Sequence, residues 1–379
     1  MPRLTLPGHW RGASRGGLLA CLVVLVGVAS FGARSAAADS VLAPVGNDSA
    51  LSAYGGWVVW SETTSSGRWR LVGWHDGAKV QFRLPTRQAA FDADVGPDAS
   101  GRPVIVYSRC WQDPGNLDSA GTYMTPNGLS QWAKASDCRL HQFDPATGVD
   151  TRLRVHGERA GSDSTPSRWF GTIAFARRPA RSTVAHLMLW KPGTRTLRRL
   201  PGGDVPRSCP FIGGCKGALY QGDVQQLDLG ARYLAFLWEI EAPAVIGAGP
   251  GWELFAEHRR DGQRTLVASG DISGTCGAWY PGSPNAAGAR VWFTNVIWDC
   301  DTTSTSLVRA TPATGELRGA DTATLAWQMT HDAEGFYTID GPAPQGNDAP
   351  CEGTGAPCAL RLTQLPPALG TVRRPAPPF

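Results

Sequence analysis

Six times along the chain a glycine is followed within three residues by an apolar run that does not alternate with polar positions. Gly56 leads "WVVW", Gly101 leads "VIVY" after Arg102 and Pro103, and Gly171 leads "TIAF". Gly230 leads "YLAF" after Ala231 and Arg232, Gly288 leads "VWF" after Ala289 and Arg290, and Gly335 leads "FYTI". Successive side chains of a strand point to opposite faces, so an unbroken apolar run predicts a strand covered on both sides. After each run comes a second pattern: an apolar strand, a tight turn and another short strand. The copies are "LVGWHDGAKVQFRL" from Leu71, "LHQFDPATGVDTRL" from Leu140, "LMLWKPGTRTLRRL" from Leu187, "LFAEHRRDGQRTLV" from Leu254 and "LVRATPATGELRG" from Leu307. A sixth, "LRLTQLPPALGTV" from Leu360, is degraded. Asp-Gly, Pro-Gly and Thr-Gly at these turns are hairpin chemistry, because glycine takes positive φ without a Cβ clash.

The shortest spacing between anchor glycines is 45 residues, Gly56 to Gly101. A unit of about four strands repeating every ~40–50 residues predicts a propeller blade, which buries both faces only between two neighbours. The predicted fold class is therefore all-β, a single six-bladed β-propeller of four-stranded antiparallel blades. The interval Gly101 to Gly171, 70 residues, has room for a seventh blade; read as loop, it leaves six.

"VGPDASGRPVIVYS" and "MTHDAEGFYTI" resemble the turn-and-strand element of TolB-like six-bladed propellers, where a Pro-Asp-x-Gly-type turn leads into a strand. Only Pro97-Asp98-Ala99-Ser100-Gly101 keeps a clear Pro-Asp turn; other copies read "SPNAAG" or "HDAEG". The resemblance covers nearly the whole chain after the leader. It implies a fold and hardly a function.

The first 38 residues stand apart. Arg3, Arg11 and Arg15 precede the apolar run "LLACLVVLVGVASF", and Ala36-Ala37-Ala38 fits a cleavage site before Asp39, so 1–38 reads as a signal peptide. Cys21 precedes most of the apolar run rather than following it, so "LLAC" is not read as a lipoprotein box. Residues 39–49 form an N-terminal segment whose "DSVLAPV" is expected to pair with the last blade and close the ring. The propeller is expected over 50–369, and 370–379 as a Pro-rich tail. Few lysines against many arginines fit a high-GC, actinobacterial-type genome.

Removing four leader arginines takes 36 basic residues to 32, against 32 acidic ones, so the mature chain is formally neutral. A neutral chain without a basic stripe is not expected to bind nucleic acid. No later apolar run approaches the length of a membrane span. The chain is expected to be secreted or on the cell-envelope exterior, soluble and monomeric, with no cofactor and no metal.

With strands A to D running from axis to rim, A–B and C–D turns lie on one face and B–C and D–A loops on the other. The long segments fall on the second face, and so do eight cysteines: Cys110, Cys138, Cys209, Cys215, Cys276, Cys300, Cys351 and Cys358. An even count in an exported chain predicts disulfides. Register and proximity favour Cys110–Cys138, Cys209–Cys215, Cys276–Cys300 and Cys351–Cys358 among the many possible connectivities.

The same face is expected to carry Trp111, Trp132, Trp238, Trp252 and Trp298. Its acids are Asp113, Asp137, Glu239, Glu241, Asp299, Asp301, Asp348 and Glu352. Trp beside carboxylate is the lining expected of a sugar site, and Asp299 and Asp301 join the five tryptophans as candidate binding residues. Other motifs exclude themselves. "SGDISGTCGAW" departs from a sialidase Asp-box at Ser273 and Cys276, and the lone G-x-S-x-G lies in the leader. The histidines do not cluster as metal ligands must. The expectation is a binding module recognising a protein or a cell-surface glycan through the stapled face. Two alternatives stand beside it: a carbohydrate-active hydrolase or lyase using loop carboxylates, and a structural part of an envelope assembly.

Overall fold

The computed structural model describes residues 40–46, 49–111, 136–157, 161–180, 185–200, 222–240, 251–272, 278–299, 302–322, 324–333, 335–341, 351, 358–363 and 369. They form six blades of four antiparallel strands, with no α-helix among them. Blade 1 is β2 (Ser52–Tyr54), β3 (Trp57–Thr63), β4 (Trp69–His75) and β5 (Ala78–Gln81); blade 2 is β6 (Asp94–Pro97), β7 (Pro103–Arg109), β8 (Arg139–Asp144) and β9 (Val149–Arg152). Blade 3 is β10 (Gly161–Trp169), β11 (Thr172–Pro179), β12 (His186–Trp190) and β13 (Leu197–Arg199). Blade 4 is β14 (Gly222–Leu229), β15 (Tyr233–Ile240), β16 (Gly251–His258) and β17 (Arg264–Ile272). Blade 5 is β18 (Ala278–Ala287), β19 (Arg290–Asp299), β20 (Thr302–Thr311) and β21 (Glu316–Asp321). β17 also pairs with β18 over Asp271–Trp279 and Ile272–Ala278, so blades 4 and 5 share one hydrogen-bonded sheet.

Blade 6 draws on both ends of the chain. Its inner strands are β22 (Leu325–His331), β23 (Phe336–Gly341) and β24 (Cys358–Thr363). Its rim strand is β1 (Ser40–Val45), antiparallel to β24 from Ser40–Leu362 to Val45–Cys358. This accounts for the degraded sixth hairpin: the residues after β24 need not encode a rim strand, because β1 fills that place. Ala43 and Val45 face inward and are buried, whereas Val41 on the same strand is exposed.

All six apolar runs lie in the second strands, and their two faces meet different neighbours. From β3, Trp57 and Val59 pack with Ile105 and Tyr107 of blade 2, while Val58 and Trp60 join Val45 and Ile339 of blade 6. From β15, Leu234, Phe236 and Trp238 pack with Ala174 and Leu187 of blade 3, while Ala235 and Leu237 face the other way. Removing each such side chain from water contributes about 1.5–3 kcal/mol, which is why consecutive rather than alternating apolar residues are stable here. No described helix is long and apolar enough to cross a membrane.

Candidate functional site

The innermost strands, β2, β6, β10, β14, β18 and β22, each touch the next around a closed ring. They carry polar residues whose hydrogen bonds latch one blade to the next. Ser52 Oγ accepts from Val95 N at 3.0 Å and donates to Asp94 Oδ1 at 2.6 Å. Asp94 Oδ2 accepts from Arg168 N at 2.7 Å, and Ser167 Oγ accepts from Leu229 N at 2.8 Å. Ala286 N donates to an Asp228 carboxylate oxygen, and Asn285 Nδ2 donates to Thr330 Oγ1 at 3.2 Å. Gly56 N donates to Asp332 Oδ2 at 3.0 Å, joining blade 1 to blade 6. Every blade interface therefore has a polar latch, five of them from the innermost strands and the sixth between the β2–β3 and β22–β23 turns. The strands come so close that a Cβ on Gly96 would lie 2.2 Å from Arg168 O, and one on Gly230 would lie 2.3 Å from Ala286 O. Only glycine permits that approach.

Two latch residues carry a cost. Burial raises the pKa of Asp94, while hydrogen bonds from Ser52 and the Arg168 amide work against it. Asp228 keeps part of its surface accessible but is enclosed by protein; burial first, then the charge of Asp94, pushes its pKa well up. Both carboxylates are engaged in holding the neighbouring blade. The sequence reading missed them, although the chain carries a signal. In blades 2 and 4 the pattern is Asp-x-Gly (Asp94-Val95-Gly96 and Asp228-Leu229-Gly230), the aspartate latching and the glycine permitting contact.

On the face of the B–C and D–A loops, between blades 1 and 2, lies a cavity of about 530 Å³. The β3–β4 turn supplies Arg68, the β5–β6 loop supplies Arg87 and Phe91, and the end of β7 with the residues after it supplies Tyr107, Arg109 and Trp111. Trp111 is 89% exposed, the most exposed of the large apolar side chains among the described residues. It follows Cys110, which is bonded to Cys138, and its own N–H donates to Ser136 O at 3.1 Å. The loop entrance is thus pinned by a disulfide and a hydrogen bond.

The three arginines differ. Arg87 is buried, contacts Asp92 at 3.3 Å and donates to Ser108 O at 3.0 Å, so it belongs to the frame. Asp92 is itself held by Ser108 N, Ser108 Oγ and Thr165 N. Arg109 reaches Asp150 at 3.3 Å. Arg68 donates through Nε to Thr86 Oγ1 at 2.9 Å and through Nη2 to Thr86 O at 2.7 Å, and has no carboxylate partner among the described residues. Tyr107 is buried beside Asp150; burial first, then the Asp150 carboxylate, raises its pKa.

Of the residues singled out from sequence, the structure brings Trp111 and Cys110 to this cavity. Trp238 and Trp252 are corrections. Both lie in strands of blade 4, Trp238 facing blade 3 and Trp252 facing the other way, and at 1% exposure each they are core residues that present nothing to a ligand. Trp298 and Asp299 end β19, and their side chains, like Trp132 and Asp301 altogether, lie outside the described residues. Asp137 is exposed and sits 3.4 Å from Arg139. Cys110–Cys138 and Cys351–Cys358 are disulfides, both at B–C connections and so on one face. Cys209, Cys215, Cys276 and Cys300 lie outside the described residues. No cluster of three metal-ligating side chains occurs among the described residues.

No family model matches the sequence, and no curated protein does. Solved structures share the architecture, TolB-like propellers among them. TolB from Acinetobacter baumannii is 8% identical over 81% of this chain and 63% of that one, with a TM-score of 0.41. An ulvan lyase is 10% identical over 82% of this chain and 80% of that one, with a TM-score of 0.43. The propeller domain of the Trilobed protease from Pyrococcus furiosus, described as having an open velcro topology, is 8% identical over 86% and 98%, with a TM-score of 0.42. The chain spans 63% and 64% of the lengths of the two TolB chains it resembles. Likeness at this level concerns the fold and says nothing of ligand or reaction.

Proposed function

We propose that this protein is an exported binding module that recognises a protein or a cell-surface glycan through the disulfide-stapled face of its propeller. The observation that carries the reading is the cavity of about 530 Å³ with Trp111 at its edge and the Cys110–Cys138 disulfide beside it. An aromatic ring left 89% exposed gives up the stabilisation that burial would bring. A pinned loop loses less entropy when a ligand seats on it. Ligand pockets of other proteins have volumes in this range, roughly 300–1,000 Å³. Export follows from the leader at 1–38, and the mature protein acts as a soluble monomer on the outer side of the membrane it crosses. Asp94 and Asp228 are accounted for as latches between blades.

The test is a glycan array and an envelope pull-down with the mature protein and its Trp111→Ala variant. The variant is expected to keep its melting temperature and to lose about tenfold in affinity or more, the loss typical of removing an aromatic anchor. Ligands that bind both forms equally well would place recognition on another face.

A further inference from the structure

We infer that the cavity between blades 1 and 2 takes an anionic saccharide, a sugar ring bearing a carboxylate or sulfate, held by Arg68 and Arg109 with the ring against Trp111. The inference deepens the binding reading above and rests on it.

The charge of the cavity points to an anion. Among the described residues three arginines line it and no carboxylate does. Arg87 is neutralised from behind by Asp92 at 3.3 Å. Arg109 shares Asp150 with His141, whose ring nitrogen is 3.2 Å from the second carboxylate oxygen. Arg68 is the guanidinium without a counter-charge among the described residues, and its Nε and Nη2 are tied to Thr86. Those two bonds orient the guanidinium plane and leave Nη1 to donate. A guanidinium with its orientation already fixed binds planar or tetrahedral oxyanions at low entropic cost.

The shape and the aromatic content point to a sugar rather than an acidic protein. Besides Trp111, the exposed large apolar residues are Val41, Val149, Leu266, Ile297 and Leu317. They come from blades 6, 2, 4 and 5, so among the described residues they do not gather around the cavity as the apolar centre of a protein interface would. A concave cavity with one exposed indole at its edge and cations beside it instead matches a ring with an apolar face and a charged substituent.

The experiment is calorimetry of the mature protein with a short oligoglucuronate, its methyl ester, a sulfated oligosaccharide of similar length, a neutral oligosaccharide and a polyglutamate peptide, at low and high salt. At least one anionic saccharide is expected to bind, its neutral counterpart at least about tenfold more weakly, and binding should fall with salt. Which of the two binds distinguishes carboxylate from sulfate. Arg68→Gln and Trp111→Ala, both at exposed positions, should each lose about tenfold with unchanged melting temperature. Binding of an anionic saccharide no tighter than that of its neutral counterpart, Arg68→Gln binding as wild type does, or no binding of either anionic saccharide overturns the inference. So does an Arg68-dependent polyglutamate complex in the absence of saccharide binding, which would assign the cavity to an acidic protein. An array ligand that is lost with Trp111→Ala but indifferent to Arg68→Gln and to salt leaves the binding-face reading standing and overturns this one.

Discussion

Asp228 and His331 are both enclosed by the fold, and their pKa shifts give stability opposite dependences on pH. The folded pKa of Asp228 is raised above the ordinary 3.8, so its neutral form favours folding, and stability declines as pH rises from 3.8 toward the folded value. Asp228→Asn keeps a carbonyl oxygen for the Ala286 amide without the charge. It should raise the melting temperature at neutral pH, while Asp228→Ala, which orphans that amide, should lower it by the equivalent of ~1–3 kcal/mol. Thermal melts of both variants from acid to neutral pH check this, and equal melting temperatures would remove Asp228 from the latch. His331 is fully enclosed, and burial lowers its pKa from 6.5 to about 4. The unfolded chain therefore binds a proton that the folded chain refuses, and stability present at neutral pH is lost as pH falls from 6.5 toward 4, by a total of roughly 3 kcal/mol. His331 lies 6.1 Å, ring to ring, from Phe336 and stacks on it. His331→Phe should flatten the acid limb of the stability profile, and an unchanged acid limb would assign it to other groups.

The second strands and the hairpins that follow them were legible in the sequence because their signal is local: unbroken apolar runs and turn glycines. The innermost strands were not, because around the axis polar residues such as Ser52, Ser167 and Asn285 take the place of apolar ones. No apolar period marks them, although Ser52, Ser167, Asp228 and Asn285 each stand five residues before the first residue of the following strand. The tryptophans show the same limit at the site. Trp111 and Trp238 both flank long B–C segments, yet one is exposed and the other is core, since pleat direction and loop exit decide and composition does not. Gly96→Ala would drive a methyl into Arg168 O and should destabilise by about 1–3 kcal/mol, a size characteristic of overpacking; a neutral result in urea unfolding would mean that blades 2 and 3 can part there without penalty. The closing strand makes a sharper case. Val45 is 0% exposed and Val41 is 56% exposed on the same strand. Val45→Asp buries a charge between β1 and the core and should cost roughly 3 kcal/mol or more, while Val41→Asp should stay within about 0.5 kcal/mol. Equal effects of the two in denaturant melts would show that β1 does not complete blade 6.

For the whole molecule, two kinds of contact divide the work. Apolar faces between blades supply most of the stability, and the latches around the axis fix how each blade meets the next. The two described disulfides sit in loops of one face. Cys110–Cys138 closes a loop of 28 residues, worth about 3–4 kcal/mol in the chain-entropy model. Replacing both with serine should lower stability by that order and weaken binding as well, because Trp111 loses its anchor. The claim on which the functional account turns is that recognition happens on the stapled face, between blades 1 and 2. Hydrogen–deuterium exchange of the mature protein with and without an array ligand tests it most directly. The account predicts new protection in 64–68, 85–91 and 107–111. Protection confined to the opposite turns, 55–56, 230–232 and 332–335, would contradict it.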